Sequence, residues 1–302
     1  MLVQSVEVPA KVVNSHSTES SLEVDPRESM KVLPSIFQGL ITSLTGKPFQ
    51  GQAAWTLTPQ YHLTASLFAL SLGLVMSCVA VRYGYWWLLL LLPGWMLTLY
   101  GMRNLRMMLY HQCSHDNMFG DKRIDTVLGE AISTVLLVQN FQEYKYEHVS
   151  EHHSVHHMTL SDPTVKALLI GLGLRPGMTR RQLWGRLLKT LIAPQFHFRF
   201  LIARVRSHFQ PASATQKVVS ISFFVALGLL VTVTHSWLPF LIAWVLPLTL
   251  FFQVSNTMRL CVKHTFPRPG VNKRGKEYFA SLTYGIFLGE RVPDLKLPRM
   301  RK

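Results

Sequence analysis

Charge is scarce in this 302-residue chain, and acidic charge scarcest: 31 Lys and Arg stand against 16 Asp and Glu, and the four types make up only 16% of residues. Soluble chains carry about a quarter. With 48% hydrophobic residues and a mean hydropathy of +0.20, a disordered or polar tail-like protein is excluded. Only three cysteines occur, Cys78, Cys113 and Cys261, none spaced C-x-x-C, which excludes a disulfide framework and a zinc ribbon. Eighteen glycines are too few for a collagenous repeat. There is no P-loop and no G-x-S-x-G. Gly171-Leu-Gly173-Leu-Arg-Pro-Gly177 is G-x-G-x-x-x-G with Pro176 poorly placed to open a nucleotide-binding helix, so it reads as a link. The first 60 residues lack a basic stretch leading into an apolar run, so no secretory leader is expected, and Ser15–Glu28 reads as a solvated arm.

What is present is apolar length. Four stretches, at about residues 63–81, 83–102, 218–234 and 237–254, approach the length needed to cross a hydrocarbon core as helix, the third being slightly short. Short links around Arg82 and His235-Ser236 join them into two helical hairpins. Ile124–Val138 is apolar but short and contains Glu130, and reads as a buried or interfacial helix. The expected fold is an all-α membrane protein with four transmembrane helices. The expected division is a polar N-terminal arm (1–60), a membrane domain (61–290) and a basic C-terminal tail (291–302).

The net charge of +15 invites a nucleic-acid reading, but its placement argues otherwise. Thirty of the 31 Lys and Arg lie in residues 1–61, 103–217 and 255–302, and only Arg82 lies in a tip. If both hairpins enter through one face, those thirty share one side, which the positive-inside bias makes cytoplasmic, with both termini. The charge is then a topology signal with some attraction to anionic lipid. No nucleic-acid partner is expected. Trp184–Phe209 interleaves Arg and Lys with Leu, Ile and Phe and is broken at Pro194. It reads as two basic amphipathic helices, either on the membrane surface or packed on the cytoplasmic domain.

Histidine carries the chemical signal. Of 13 His, seven fall between residues 111 and 157. His111 and His115 share a helix face at i, i+4. In the second group His148, His152 and His156 form one such row, and His153 and His157 the adjacent one. Imidazole is a good neutral ligand for iron, zinc, copper and nickel, and two i, i+4 pairs from different helices can bracket one ion. The plainer alternative is a His-rich metal-buffering tract. Gln112 occupies the place of the metalloprotease Glu in H-E-x-x-H, which disfavours a zinc protease. His16, His62, His197, His208 and His235 are scattered and read as structural or surface residues.

These boxes give the chain a resemblance. H-x-x-x-H (His111, His115) after a first membrane hairpin, then H-x-x-x-H-H (His148, His152, His153) or H-x-x-H-H (His153, His156, His157), resembles the integral-membrane fatty acid desaturases, relatives of alkane hydroxylases and carotenoid oxygenating enzymes. His115-Asp-Asn-Met-Phe119, Tyr146-Glu-His148, Asp162-Pro163, Asn256-Thr-Met-Arg259 through His264, and Gly289-Glu290 are similar to family segments. The resemblance implies a helical His-box domain on the cytoplasmic side and two non-haem iron ions. It implies O2-dependent desaturation of a lipid acyl chain, with electrons from a separate donor protein. His111, His115, His148, His152, His153 and His264 would be ligands, with His156 and His157 as further candidates and Asp162 a supporting residue. A third box, usually (H/Q)-x-x-H-H, has no counterpart after His264, and Lys263 stands where a Glu often precedes the His. That departure leads to the expectation of a truncated or diverged member. A hydroxylase or ketolase with the same site, and a membrane metal-binding protein, are the alternative readings.

Overall fold

The computed structural model describes residues 28, 30–45, 49–52, 58–152, 161–175 and 177–263. All regular structure among the described residues is helical. The chain divides into two compact units, residues 1–55 and 56–302. In the first, helix α1 (Ser35–Thr45) is held to the preceding turn by Gln38, whose amide donates to the carbonyls of Met30 and Leu33 at 2.9 Å each. The Ser15–Arg27 part of the expected arm lies outside the described residues, as do residues 264–302.

The second unit contains four helices long and apolar enough to cross a membrane: α2 (Pro59–Tyr83), α3 (Tyr85–Ser114), α9 (Ala214–Val233) and α10 (Trp237–Cys261). Each runs beyond the bound expected from hydropathy at one end or both, because hydropathy registers the apolar centre and not the capped ends; α3 starts two residues late and α9 ends one residue early. Helix α2 begins one turn early because the Thr58 hydroxyl accepts from the Tyr61 amide and Pro59 fits the first turn. It stops at Gly84, whose φ of 65° suits glycine. The third stretch gains a polar first turn from its cap, Ser213. Helix α3 departs furthest: nothing breaks it at residue 102, and it continues through a π turn (Leu105–Leu109) to Ser114.

Helices α2 and α3 approach closely through small residues. A Cβ on Gly73 would stand 2.5 Å from the Thr98 amide, one on Gly94 2.5 Å from the Ser77 hydroxyl, and one on Gly101 2.7 Å from the Ser66 carbonyl. Residues 66, 73 and 77 thus meet residues 101, 98 and 94 in opposing order, with contact between backbones standing in for a water-driven core.

Five shorter helices follow the same physical rules. Helix α4 (Lys122–Val135) starts at Asp121, whose carboxylate accepts from the Arg123 and Ile124 amides. It ends three residues before the expected bound because Leu137 turns to φ 46°. Helix α5 (residues 141–152) is capped by Asn140 and changes from α to π geometry at Glu147–His152. Helix α6 (residues 163–171) starts on Asp162 and Pro163. Helices α7 (Arg180–Ile192) and α8 (Pro194–Phe209) meet at Pro194, where the sequence places the break. The core gathers where α3, α4, α5 and α10 converge, around Leu109, Tyr110, Ile132, Leu136, Phe141 and Phe252.

Buried polar groups tie α8 and α9 to this core. The His208 Nδ1–H donates to the Val138 carbonyl at 2.9 Å, and its Nε2 accepts from Ser220, which also meets Thr134. Asn140 donates to Gln216 at 2.6 Å. Burial holds the His208 imidazole below its ordinary value, against the opposing pull of the Val138 carbonyl. The unfolded chain therefore takes up this proton at a higher pH than the folded one. His208 contributes stability fully above about pH 6.5 and loses it as pH falls toward its folded value. Unfolding temperature is expected to drop between pH 7.5 and 5.5, and to drop less in His208→Gln; identical pH profiles for the two proteins would count against this account.

Candidate metal centre

The first histidine pair is carried out of the apolar region by α3 itself. After the π turn at Leu105–Leu109, one α turn (Tyr110–Ser114) holds His111, and His115 follows as its cap. The π turn in α5 holds His148 and His152. Short π segments recur at functional sites because they re-aim the residues that follow. Ligand nitrogens of His111, His115 and His148 all lie within 4.8 Å of one another. Their ring centroids are 4.4 Å (His111 to His148) and 5.1 Å (His115 to each of the others) apart. Three nitrogens around one ion, each at about 2.1 Å, stand about 3.4–3.6 Å apart in tetrahedral or trigonal geometry. Separations of up to 4.8 Å close on binding one ion, and an all-imidazole donor set suits iron, zinc, copper or nickel.

Tyr144 and Arg106 organise the trio. The Tyr144 ring stacks on His148 at 8° and 5.1 Å, and its hydroxyl lies 3.1 Å from His111 Nδ1. The Arg106 guanidinium, from the π turn of α3, lies over both Tyr144 (4.2 Å) and Tyr110 (4.3 Å), whose ring centroids are 4.8 Å apart, making two cation–π contacts. The Tyr110 hydroxyl donates to the Gln139 carbonyl at 2.6 Å. On the other side Asp125 gathers the loop after the first pair, accepting from the Met118 and Phe119 amides at 3.1 and 3.0 Å. Burial pushes the Asp125 carboxyl above the usual range, with the two amides opposing. An ion pair between Lys145 and Asp116 closes the same loop onto α5.

His152 is buried and sits apart from the trio, its ring 5.4 Å from that of His148 and stacked at 24°. Its Nδ1 lies 2.9 Å from the Asp162 carboxylate, which also accepts from the Thr164 amide at 2.7 Å. A carboxylate accepting from Nδ1–H leaves the Nε2 lone pair for an ion. Asp162→Ala is expected to weaken metal binding 10–100-fold while leaving the helices formed, measured by metal titration of the stripped chain; unchanged affinity would make Asp162 only a helix cap.

The structure thus brings together His111, His115 and His148 and places His152 beside them. The other expected ligands, His153, His156, His157 and His264, lie outside the described residues. The expected row of His148, His152 and His156 on one α face is altered at its start, because residues 147–152 turn with π and not α geometry. Arg259 reaches the region from α10, its guanidinium donating to the Met107 sulfur. Tyr144, Arg106 and Asp125 were not singled out by spacing. Asp121 and Asp125 do lie at a readable helix start, but the long-range contacts of Tyr144 and Arg106 leave no local pattern.

Four helices able to cross a membrane, with a histidine cluster at the end of the second, define a helical integral membrane protein bearing metal-ligand side chains. The fatty acid desaturase family matches residues 44–289, and the chain belongs to that family. No curated protein and no solved structure matches the chain.

Proposed function

We propose that the chain is an oxygen-dependent oxidoreductase that desaturates a lipid acyl chain at a non-haem di-iron centre. The observation that carries this reading is the convergence of His111, His115 and His148 from two helices, within the family match. His111, His115, His148 and His152 are the proposed ligands within the described residues. His153 and His264, with His156 and His157 as alternatives, complete the set. Bound iron would supply the oxidising power that an unactivated C–H bond demands. The balance is –CH2–CH2– plus O2, two electrons and two protons giving –CH=CH– and two waters.

The protein's own task is to hold nitrogen lone pairs toward one point and to keep that point dry. Tyr144 and Asp162 fix ring orientation through Nδ1 of His111 and His152. Leu109, Tyr110 and Cys113, all fully buried, flank the first pair along α3 and anchor it to the core. The four long helices form two hairpins entering from one face, with the His-box domain and both termini on the cytoplasmic side, as the distribution of Lys and Arg supports. Residues 61–290 form the desaturase domain between the N-terminal arm (1–60) and the C-terminal tail (291–302). Electrons come from a separate donor protein and the acyl chain from the bilayer.

The test is anaerobic loading with iron, then O2 and a reducing partner in the presence of phospholipid, with acyl chains analysed by mass spectrometry. A loss of two mass units in the acyl chain is expected. A gain of sixteen would replace desaturation with hydroxylation, and iron-independent or absent product would overturn the proposal.

A further inference from the structure

Helix α7 presents three different faces. Leu183 and Leu187 pack against Leu168 and Leu172. Trp184, Leu188 and Ile192, spaced by four, form an apolar row that is 43%, 53% and 76% exposed. Gln182, Gly185, Arg186 and Lys189 lie on the third face and, with Arg175, Gly177 and Met178, line an open cleft of about 510 Å³. That cleft holds three cations and no acid. Arg186 is positioned in it by a hydrogen bond from its Nε to the Leu172 carbonyl at 3.2 Å.

A second, larger cavity lies at the C-terminal end of α7. Leu191, Ile192, Phe198 and Leu201, on either side of the Pro194 elbow, face Leu250 and Phe251 of α10 across a groove of about 1000 Å³, in which His197, Thr249 and Ser255 are the only polar side chains. Lys189 of the cationic cleft and Ile192 of the apolar groove are three residues apart, about 4.5 Å along the helix axis.

A cationic cleft on α7, an apolar groove at the elbow that follows it, and an exposed Trp-Leu-Ile row between them suit an amphiphile with a negative head. We infer that the α7–α8 elbow binds a single anionic phospholipid, its phosphate headgroup between Arg175, Arg186 and Lys189 and an acyl chain in the groove along α10. Trp184 sits at the level of the headgroups, where amphipathic rings are favoured. The clustered cations select negative charge, and the groove removes the chain from contact with its neighbours in the bilayer. The site is built from residues 175–178, α7, α8 and α10 and does not depend on the histidine cluster or on the desaturase reading.

The test uses the full chain, delipidated in a neutral detergent, with dioleoyl phosphatidylglycerol or dioleoyl phosphatidylcholine added and retention read by native mass spectrometry. Phosphatidylglycerol is expected to be retained preferentially. Arg175→Gln with Lys189→Gln, both at exposed positions, is expected to lower its retention about 30-fold and to leave phosphatidylcholine unchanged. Arg186 stays intact because it also holds the backbone of residue 172. Leu201→Trp, which fills the groove, is expected to reduce retention of both lipids while the charge preference persists. Equal retention of the two lipids by the unaltered chain would overturn the inference. So would retention unaffected by either variant, or inorganic phosphate at millimolar concentration displacing the lipid, which marks a site for soluble anions.

Discussion

His148→Ala is expected to leave the purified chain without iron and without product, and His111→Ala to do the same. His148 is the one member of the trio supplied by α5, so its loss removes the link between two helices as well as a ligand. Of the trio only two imidazoles one turn apart on α3 then remain, too few to hold an ion at that point against water. The effect should exceed the 10–100-fold expected of an outer partner such as Asp162. The measurement is iron per chain by elemental analysis, beside the far-ultraviolet helix signal. His235→Ala is the control, since His235 is exposed in the link between α9 and α10. Iron and turnover retained in both site variants would remove the histidine cluster from the chemistry. Loss of the helix signal in His148→Ala alone would shift the weight to His111→Ala, where Tyr144 still stacks on His148 and can hold α5 in place.

Arg204→Met is expected to destabilise the chain by about 3–5 kcal/mol, the cost of three buried carbonyls losing their donor at about 1–3 kcal/mol each, less the relief of the guanidinium's desolvation. Arg204 is 6% exposed. Its guanidinium donates to the carbonyls of Leu136, Leu137 and Leu248, at 3.1 Å for Leu137 and 2.8 Å for Leu248. Leu136 and Leu137 close α4, and Leu248 lies in the π turn Pro247–Phe251 of α10. These acceptors stand at places where helical hydrogen bonding is interrupted, so the arginine replaces partners the backbone cannot supply. Burial lowers the guanidinium to about 10, with Arg106 adding to the effect, and it remains charged at neutral pH. A methionine would relieve the desolvation of that charge, which argues for a smaller loss. It would also abandon three carbonyls, each costing about 1–3 kcal/mol when buried without a donor, and that outweighs the relief. Thermal unfolding in detergent measures the difference, with Arg204→Lys falling between the two. An unfolding temperature within a degree of the unaltered chain would show that water reaches these carbonyls.

The readable part of this protein is the part encoded by short spacing. Four apolar stretches gave the four long helices, Pro194 gave the break between α7 and α8, and the i, i+4 spacing of His111 and His115 gave the shared face that the structure turns toward His148. Asp162-Pro163 enters from the sequence only through the family resemblance; in the structure it starts α6, and its carboxylate also reaches back to His152. The contacts that organise the cluster were not legible. Tyr144 meets His111 from 33 residues away, and Arg204 meets Leu248 from 44 residues away; neither leaves a periodic trace. The same limit explains α3. Hydropathy ends the span near residue 102, whereas helix hydrogen bonding is indifferent to polarity and carries the chain on to the histidines.

The π turn at Leu105–Leu109 has a consequence for how this chain tolerates length changes. A π turn holds one residue more than an α turn, so deleting a single residue there can be absorbed by reversion to regular α-helix with no break in the hydrogen bonding. The apolar half of α3 would stay as it is. Everything after the deletion would keep its place around the axis, because the wide turn holds its extra residue without advancing the helix, and His111 and His115 would still face His148. The same deletion in an α-geometry stretch of α3 would swing the pair by about 100° with composition, hydropathy and the spacing of the two histidines nearly untouched. The place of a gap is therefore information in its own right, and an alignment that slides one freely between residues 105–109 and the neighbouring turns would discard it.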